Sequence, residues 1–254
     1  AQGSLLVAHR PDLGSAQRVL ARLEGDPQAR PEPLDAAALA RLEPALPSPA
    51  HAWLLRGEGQ IDPPATMAAL QAQAEGVTWH WGCAVAQAHP GTLLLQDGRQ
   101  ARFDTVIDVR GLGAQRDLPL RGVRGETAWL HAPGHGLTRP LRLLHPRHRV
   151  YLVPRPDDLL FLGATEIESE DRSPVSLKSA VELMSAAHSV LPMLAEARIL
   201  RLDRHLRPAL PDHLPRTDHA DGLLRINGLF RHGWLMAPAL VQDALALLRQ
   251  GAAA

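Results

Sequence analysis

The chain has 254 residues, 45% of them hydrophobic and 21% charged, with 27 basic and 27 acidic side chains. That length accommodates one large or two smaller soluble domains, and a formal net charge of zero leaves no electrostatic footprint for nucleic acid or an anionic membrane. The single cysteine, Cys83, excludes an internal disulfide and a thiolate cluster and fits a reducing, cytoplasmic setting, while no apolar run reaches the roughly 18 residues of a spanning helix.

The opening, Ala1-Gln2-Gly3-Ser4-Leu5-Leu6-Val7-Ala8-His9, has neither an initiator methionine nor a charged leader. Gly3 to His9 reads as a strand already in progress, as expected of a stretch cut from a longer polypeptide. Leu13 to Leu23 follows as an amphipathic helix, Ala29 to Pro33 as a proline-rich connector, and Leu34, Ala38, Leu39 and Leu42 mark a second helix stopped before Pro44. Ala52 to Leu55 reads as a strand. Asp62 is placed to cap a helix from Pro64 to Ala74 that ends at Gly76. The alternating and short apolar runs Val77 to Trp81, Ala84 to Ala88 and Thr92 to Leu95 predict strands, the last closed by the turn Asp97-Gly98. Asp104 to Val109 predicts a buried strand ending in Arg110-Gly111-Leu112-Gly113. Further strands are expected at Glu126 to His131, Leu141 to Leu144, Val150 to Pro154 and Leu159 to Gly163. A helix from Ser176 to Val190 is expected to bury Leu177, Val181, Met184, Ala187 and Val190. Strands at Ile199 to Leu206 and Leu223 to Ile226 precede a closing helix, Trp234 to Arg249. Helices interspersed with many strands argue for an α/β or mixed α+β class with large mixed sheets.

Several segments have the residue types that chemistry needs, each with a plain structural alternative. Gly111-Leu112-Gly113 after a strand lets backbone approach a phosphate, but position 116 is Arg rather than the third glycine of a dinucleotide fingerprint, so the pattern fails and by itself reads as a tight turn. Gly228-Leu229-Phe230-Arg231-His232-Gly233 opens a helix, where free backbone donors and Arg231 suit a pyrophosphate or a flavin carbonyl, or form an ordinary helix start. Arg207, at a strand end before Pro208, offers a planar donor fork to a carboxylate, or pairs with Asp203 or Asp212 at the surface. Tyr151 is the one tyrosine of the chain, set to close over a small polar substrate or to serve as core. Glu166, Glu168, Glu170 and Asp171 read as a solvated acidic loop, and Cys83 as packing. None of the 13 histidines falls in a paired metal-binding pattern, so no metal is expected.

The order of these pieces resembles one family. Gly59-Gln60-Ile61-Asp62-Pro63 with a following helix, Gly76 and Val85; Tyr151-Leu152-Val153-Pro154-Arg155; Leu162-Gly163-Ala164-Thr165-Glu166; Leu206-Arg207-Pro208; and Phe230-Arg231-His232-Gly233-Trp234-Leu235-Met236-Ala237-Pro238 are similar, over essentially the whole chain, to the D-amino-acid oxidase-like flavoproteins, and within them to the glycine oxidases of thiamine biosynthesis. The resemblance implies a substrate domain with a large mixed or antiparallel sheet (residues 1–56 and 124–210) and part of a Rossmann-like FAD-binding domain (57–123 and 211–254). It implies that Arg207 grips a substrate carboxylate, that Tyr151 lines the pocket, and that Arg231 lies beside substrate and flavin. Val85, Gly111, His232, Gly233 and Met236 would contact FAD. The implied reaction takes hydride from the α-carbon of a small amino acid or amine to the flavin, hydrolyses the imine and returns electrons to dioxygen as hydrogen peroxide, without a side-chain base. The family's opening glycine-rich strand–turn–helix is not in the sequence, and is expected from a missing N-terminal segment or a second chain, so the chain alone is expected to bind FAD poorly and to be inactive. Gly113 replaces a bulky residue and Glu166 an apolar one. A scaffolding subunit without catalysis, or a flavin dehydrogenase with another electron acceptor, are the alternatives to an oxidase.

Overall fold

The computed structural model describes residues 3–25, 30–47, 50–147 and 149–251, so Ala1, Gln2 and Ala29 lie outside the described residues. In chain order the elements are β1 (Ser4–Ala8), α1 (Leu13–Leu23), β2 (Glu32–Leu34), α2 (Ala36–Leu42), β3 (His51–Leu55), α3 (Pro63–Gln73), β4 (Val85–His89), β5 (Thr92–Leu95), β6 (Gln100–Arg102) and β7 (Val106–Asp108). There follow β8 (Arg121–His131), β9 (Leu141–Leu144), β10 (Arg149–Arg155), β11 (Leu159–Gly163), α4 (Leu177–Val190), β12 (Arg198–Ala209), β13 (Arg216–Ala220), β14 (Leu223–Asn227) and α5 (Gly233–Gly251). The class is mixed α/β. Among the described residues no helix is long and apolar enough to cross a membrane.

The chain divides into two units, Ala1–Ala74 with Gly125–Glu166 and Ser173–Arg204, and Glu75–Arg124 with Ile167–Arg172 and His205–Ala254. The first is built on an eight-stranded mixed sheet in the order β12-β8-β11-β10-β9-β1-β3-β2. Side chains alternate between its faces. Leu5, Val7, Leu141, Leu143, Leu152, Leu160, Leu162 and Leu130 point to one side, where Leu39 of α2 and Leu183, Ala187 and Val190 of α4 close the core. On the other side Leu6, Leu55 and Trp53 meet Leu20 of α1. β1 lies between antiparallel β3 and parallel β9, which pair both its edges, and its two faces lie under α2 and α4 on one side and α1 on the other, so every residue is buried. That is why it reads as an unbroken apolar run.

Helix starts follow their caps. Asp35 Oδ1 accepts from Ala38 N at 2.7 Å, Asp62 Oδ1 from Ala65 N at 3.0 Å, and Ser176 Oγ from Ser179 N at 3.1 Å, each satisfying a first-turn donor. α4 buries Ser179, Leu183, Ala186, Ala187 and Val190, while Leu177 and Val181 are exposed. Its buried stripe is therefore rotated from the expected one in the N-terminal half. Val181 instead lines a cleft of about 480 Å³ with His9, Leu143, His145 and Ser189.

The second unit contains the three-stranded sheets β13-β14-β7 and β4-β5-β6. β14 runs parallel to β7 and antiparallel to β13. Leu224 and Ile226 of β14 face Leu240, Ala244, Leu247 and Leu248 of α5. Leu223 and Val106 turn the other way, onto Ala88 and Leu93. β13, with the polar sequence Arg-Thr-Asp-His-Ala, is an edge strand that no hydrophobic period announced. Residues 77–81 form no strand, although Val77, Trp79 and Trp81 alternate as a strand would. Instead the two indoles stack 5.2 Å apart at 4°, and all three side chains are exposed. Cys83 is exposed too, not packed.

Candidate functional site

Two adjacent parallel strands locate the site. With Leu223 opposite Val106 and Arg225 opposite Asp108, the carboxyl ends of β14 and β7 finish side by side. Ligands of α/β sheets bind beyond such ends, where the following turns diverge. β7 leads into the Gly111 turn, at φ +56, and β14 into the Gly228 turn, at φ +77. Gly228 is a glycine by necessity: a Cβ there would stand 2.7 Å from Leu210 Cδ1 and 2.8 Å from Leu210 Cγ. After it, Phe230 takes φ +49 and α5 begins at Gly233.

Cross-links hold these turns together. Asn227 Nδ2 donates to the Gly111 carbonyl at 3.0 Å, and Asn227 Oδ1 accepts from Gly228 N at 2.8 Å. Phe230 N donates to the Pro208 carbonyl at 3.1 Å. Pro208 Cγ also lies 3.5 Å from where a Cβ on Gly111 would be. Arg207, half-buried, immediately precedes this proline. Arg110 Nη1 donates to the Ala86 carbonyl at 3.2 Å, next to Val85, at a bulge in the β4–β5 ladder between Val85 and Gln87. The segments carrying Val85, Gly111, Arg207 and Arg231 thus meet in one place, inside the second unit.

Arg110 is the hub that sequence reasoning missed. Its Nε and Nη2 make a bidentate pair with Asp108, both at 2.8 Å, and Nη2 also reaches Asp117 Oδ2 at 2.6 Å. The Asp108 side chain is 1% exposed. Burial pushes its carboxyl up, but hydrogen bonds from the Arg110 side chain and backbone, with the charges of Arg110 and Arg225, bring it below the usual aspartate range. The local signal was the Asp-x-Arg spacing at 108 and 110, which allows a two-residue side-chain clamp on a turn.

At the start of α5, Arg231, His232, Trp234 and Leu235 are exposed, Gly233 and Met236 partly buried. No acidic residue occupies the first helical turn, and a Cβ on Gly233 would meet open space. The first amides of a helix have no carbonyl partner within it. Together with Arg231 they make a positive, sterically open end suited to an electron-rich group.

Tyr151 belongs to the first unit. It faces away from the Leu152 core, half-buried, opposite Gly163 on β11 and Arg142 on β9. A Cβ on Gly163 would lie 2.5 Å from the Tyr151 hydroxyl oxygen, so the glycine is what lets the ring lie across β11. Phe161 and Trp129 continue this face at ring separations of 6.2 and 5.0 Å. Arg142 is paired with Glu58 and donates to Ser4 Oγ at 3.2 Å. Asp203 accepts from Arg201, and Asp212 from Leu214 N. The acidic stretch is exposed but tied down: Glu168 pairs with Arg121, and Glu170 accepts from Gly122 N at 2.6 Å.

Comparison with known proteins agrees with this architecture. The model of the FAD dependent oxidoreductase family (DAO) matches residues 1–244. A protein described as putative thiamine biosynthesis oxidoreductase ThiO, from Rhizobium etli, is 39% identical over 244 residues, covering 95% of this chain and 70% of that protein. A glycine oxidase of Bacillus licheniformis is 34% identical over 120 residues, 46% of this chain and 31% of the relative. In fold, the crystal structure of glycine oxidase from Geobacillus kaustophilus superposes with a TM-score of 0.80 at 24% identity, covering 96% of this chain and 70% of that one. The chain belongs to the family of FAD dependent oxidoreductases.

Proposed function

We propose that this chain is the greater part of an enzyme that, once completed by the family's opening segment, carries out the FAD-dependent oxidative deamination of glycine or another small amino acid or amine, in service of thiamine thiazole synthesis. The net reaction takes amino acid, dioxygen and water to oxo acid, ammonia and hydrogen peroxide. The observation that carries this reading is the junction in the second unit, where the Val85, Gly111, Arg207 and Arg231 segments are bonded to one another. FAD fits there. The Gly111 turn leaves backbone approachable, and the acid-free start of α5 with Arg231 provides positive charge for flavin oxygens. Val85, Gly111, His232, Gly233 and Met236 would hold it. When bound, FAD supplies the two-electron acceptor.

The chain's own task is orientation. Arg207 grips the substrate carboxylate through its planar fork, which fixes the α-carbon. Tyr151, on the first unit, is the candidate hydroxyl for a small polar substrate, and Arg231, on the second, is the candidate cation for the substrate and the flavin. We assign substrate binding mainly to the first unit and cofactor binding to the second; the division within β12 counts Arg207 with the second. A family-type strand–turn–helix segment, from the same polypeptide or from a second chain, would complete the cofactor domain. Among the described residues β7 is the open end of its sheet, and Ile107, opposite Leu224 in the ladder, and Val109 just beyond it are exposed, an apolar edge suited to an added parallel strand and helix. The lone exposed Cys83 suits the cytoplasm.

The test is substrate profiling with peroxide detection on the full-length, FAD-loaded protein, native and Arg207→Ala. Losing a charge-assisted pair worth about 2–4 kcal/mol raises KM for the amino acid by roughly thirtyfold to a thousandfold. An unchanged KM removes Arg207 from the carboxylate, and no peroxide with any small amine removes the oxidase reading.

A further inference from the structure

Asn227 is the last residue of β14 and is 3% exposed. The β14–β7 ladder ends at Arg225 opposite Asp108. Beyond it both chains turn away at glycines of positive φ, Gly111 and Gly228. A diverging pair of strands leaves backbone donors and acceptors without ladder partners, and buried ones must find others. Asn227 lies two residues past Arg225, level with Arg110 by the same register. From there its amide serves both turns at once, donating to the Gly111 carbonyl at 3.0 Å and accepting from Gly228 N at 2.8 Å. Few side chains manage both. Leucine offers neither bond, serine is too short to span the gap, and aspartate can accept from Gly228 but cannot donate to a carbonyl.

We propose that Asn227 is a positioning residue of the cofactor site: it sets the spacing between the Gly111 turn and the Gly228 turn, and through Gly228 the start of α5. The proposal rests on the reading of the site given above. It adds that the two cofactor-contacting turns act as one rigid clasp, locked by a side chain that itself touches no cofactor. The neighbouring Phe230–Pro208 backbone bond holds the far side of the same turn, so loss of Asn227 loosens the clasp without releasing it.

The experiment uses the full-length, FAD-loaded protein and the variants Asn227→Asp and Asn227→Ser. Aspartate keeps an acceptor for Gly228 and loses the donor to Gly111, and serine, too short to reach Gly111, breaks the same bridge without burying a charge. The dissociation constant for FAD is expected to rise by about tenfold or more, the loss of one buried hydrogen bond with its acceptor left unpaired. At saturating FAD the visible absorption band of the bound flavin should shift and kcat should fall, while KM for the amino acid stays unchanged. A residue of merely structural importance would lower the apoprotein's melting temperature and leave that spectrum alone. Native binding with an unshifted band in both variants overturns the proposal while leaving the site reading intact. Native protein that binds no FAD at all overturns the site reading instead. Should both variants fail to fold, hydrogen exchange on the native protein decides: FAD must slow the 109–114 and 223–230 segments together, and slowing of only one, or of neither, overturns the clasp.

Discussion

Replacing Arg110 with methionine should loosen the second unit more than any surface arginine would. The guanidinium makes four hydrogen bonds, two to Asp108, one to Asp117 and one to the Ala86 carbonyl. After the change Asp108 keeps the backbone N–H of residue 110 at 3.1 Å and Arg225 Nε at 3.7 Å, an ion pair without hydrogen-bond geometry. Its side chain is 1% exposed, so water cannot replace what is lost. Breaking a buried pair from one side costs about 3–5 kcal/mol. With Arg225 still nearby the low end, about 3 kcal/mol, is expected, and the freed Ala86 carbonyl adds about 1 kcal/mol. Because the folded-state pKa of Asp108 lies below the ordinary value, its stabilising contribution is complete above about pH 3.9 and is lost only as pH falls through the lower folded value. Neutral pH therefore measures the whole effect. Native-state hydrogen exchange on peptides covering Val106–Asp108 and Leu223–Asn227 is the suitable assay, since two units need not unfold as one and a single melting curve would mix them. Adding Asp108→Asn removes the stranded charge and should recover about 1–2 kcal/mol of the loss. Opening free energies unchanged by Arg110→Met, or a double variant as weak as the sum of the singles, would refute the hub.

Two other perturbations probe the first unit. His135 is 6% exposed, and burial holds its pKa below the usual imidazole value against the opposing charges of Asp158 and Glu43. Its Nδ1 accepts from Leu137 N at 2.9 Å, a bond the neutral ring makes. Stability is then full above the unfolded pKa of about 6.5 and declines as pH falls from there toward the folded value; His135→Asn should flatten that slope in urea midpoints taken across the range. Gly163→Ala places a methyl 2.5 Å from the Tyr151 hydroxyl oxygen and should cost about 1–3 kcal/mol by overpacking. The same change in a Tyr151→Ala background should cost less, as read by thermal unfolding.

What was legible in the sequence was what local pattern encodes. The Asp62 cap, the strand through Leu5 to Val7, the Asp97-Gly98 turn and the glycine-led start of α5 all lie where spacing and side-chain chemistry put them. Illegible features depended on partners far along the chain. Val77 to Trp81 alternates like a strand, but alternation only prepares a strand, and pairing makes one; here the indoles stack on each other instead. In α4 two apolar stripes share Ala187 and Val190, and the sheet beneath selected the one through Leu183. Asn227 drew no notice because its partner across the gap, Gly111, stands 116 residues away, and Arg110 read only as the start of a turn although Asp108 and Asp117 lie close by in sequence.

The position of the site follows from that topology more than from any motif. A lone Gly-x-Gly at 111–113 or an Asn-Gly at 227–228 is ordinary turn chemistry. What changes their meaning is that β7 and β14 are parallel neighbours, so turns remote in sequence must open side by side, with a helix rising from one of them. In a parallel pair the strand ends coincide, the next backbone groups lose their ladder partners together, and the helix turns its positive end toward the same spot. A buried amide that bridges the gap and an arginine clamped to the strand behind it are what such an opening requires to stay open at a fixed width. Antiparallel pairing of the same two strands would have sent Gly111 and Gly228 to opposite ends of the sheet, and neither glycine could then have contributed to a common site.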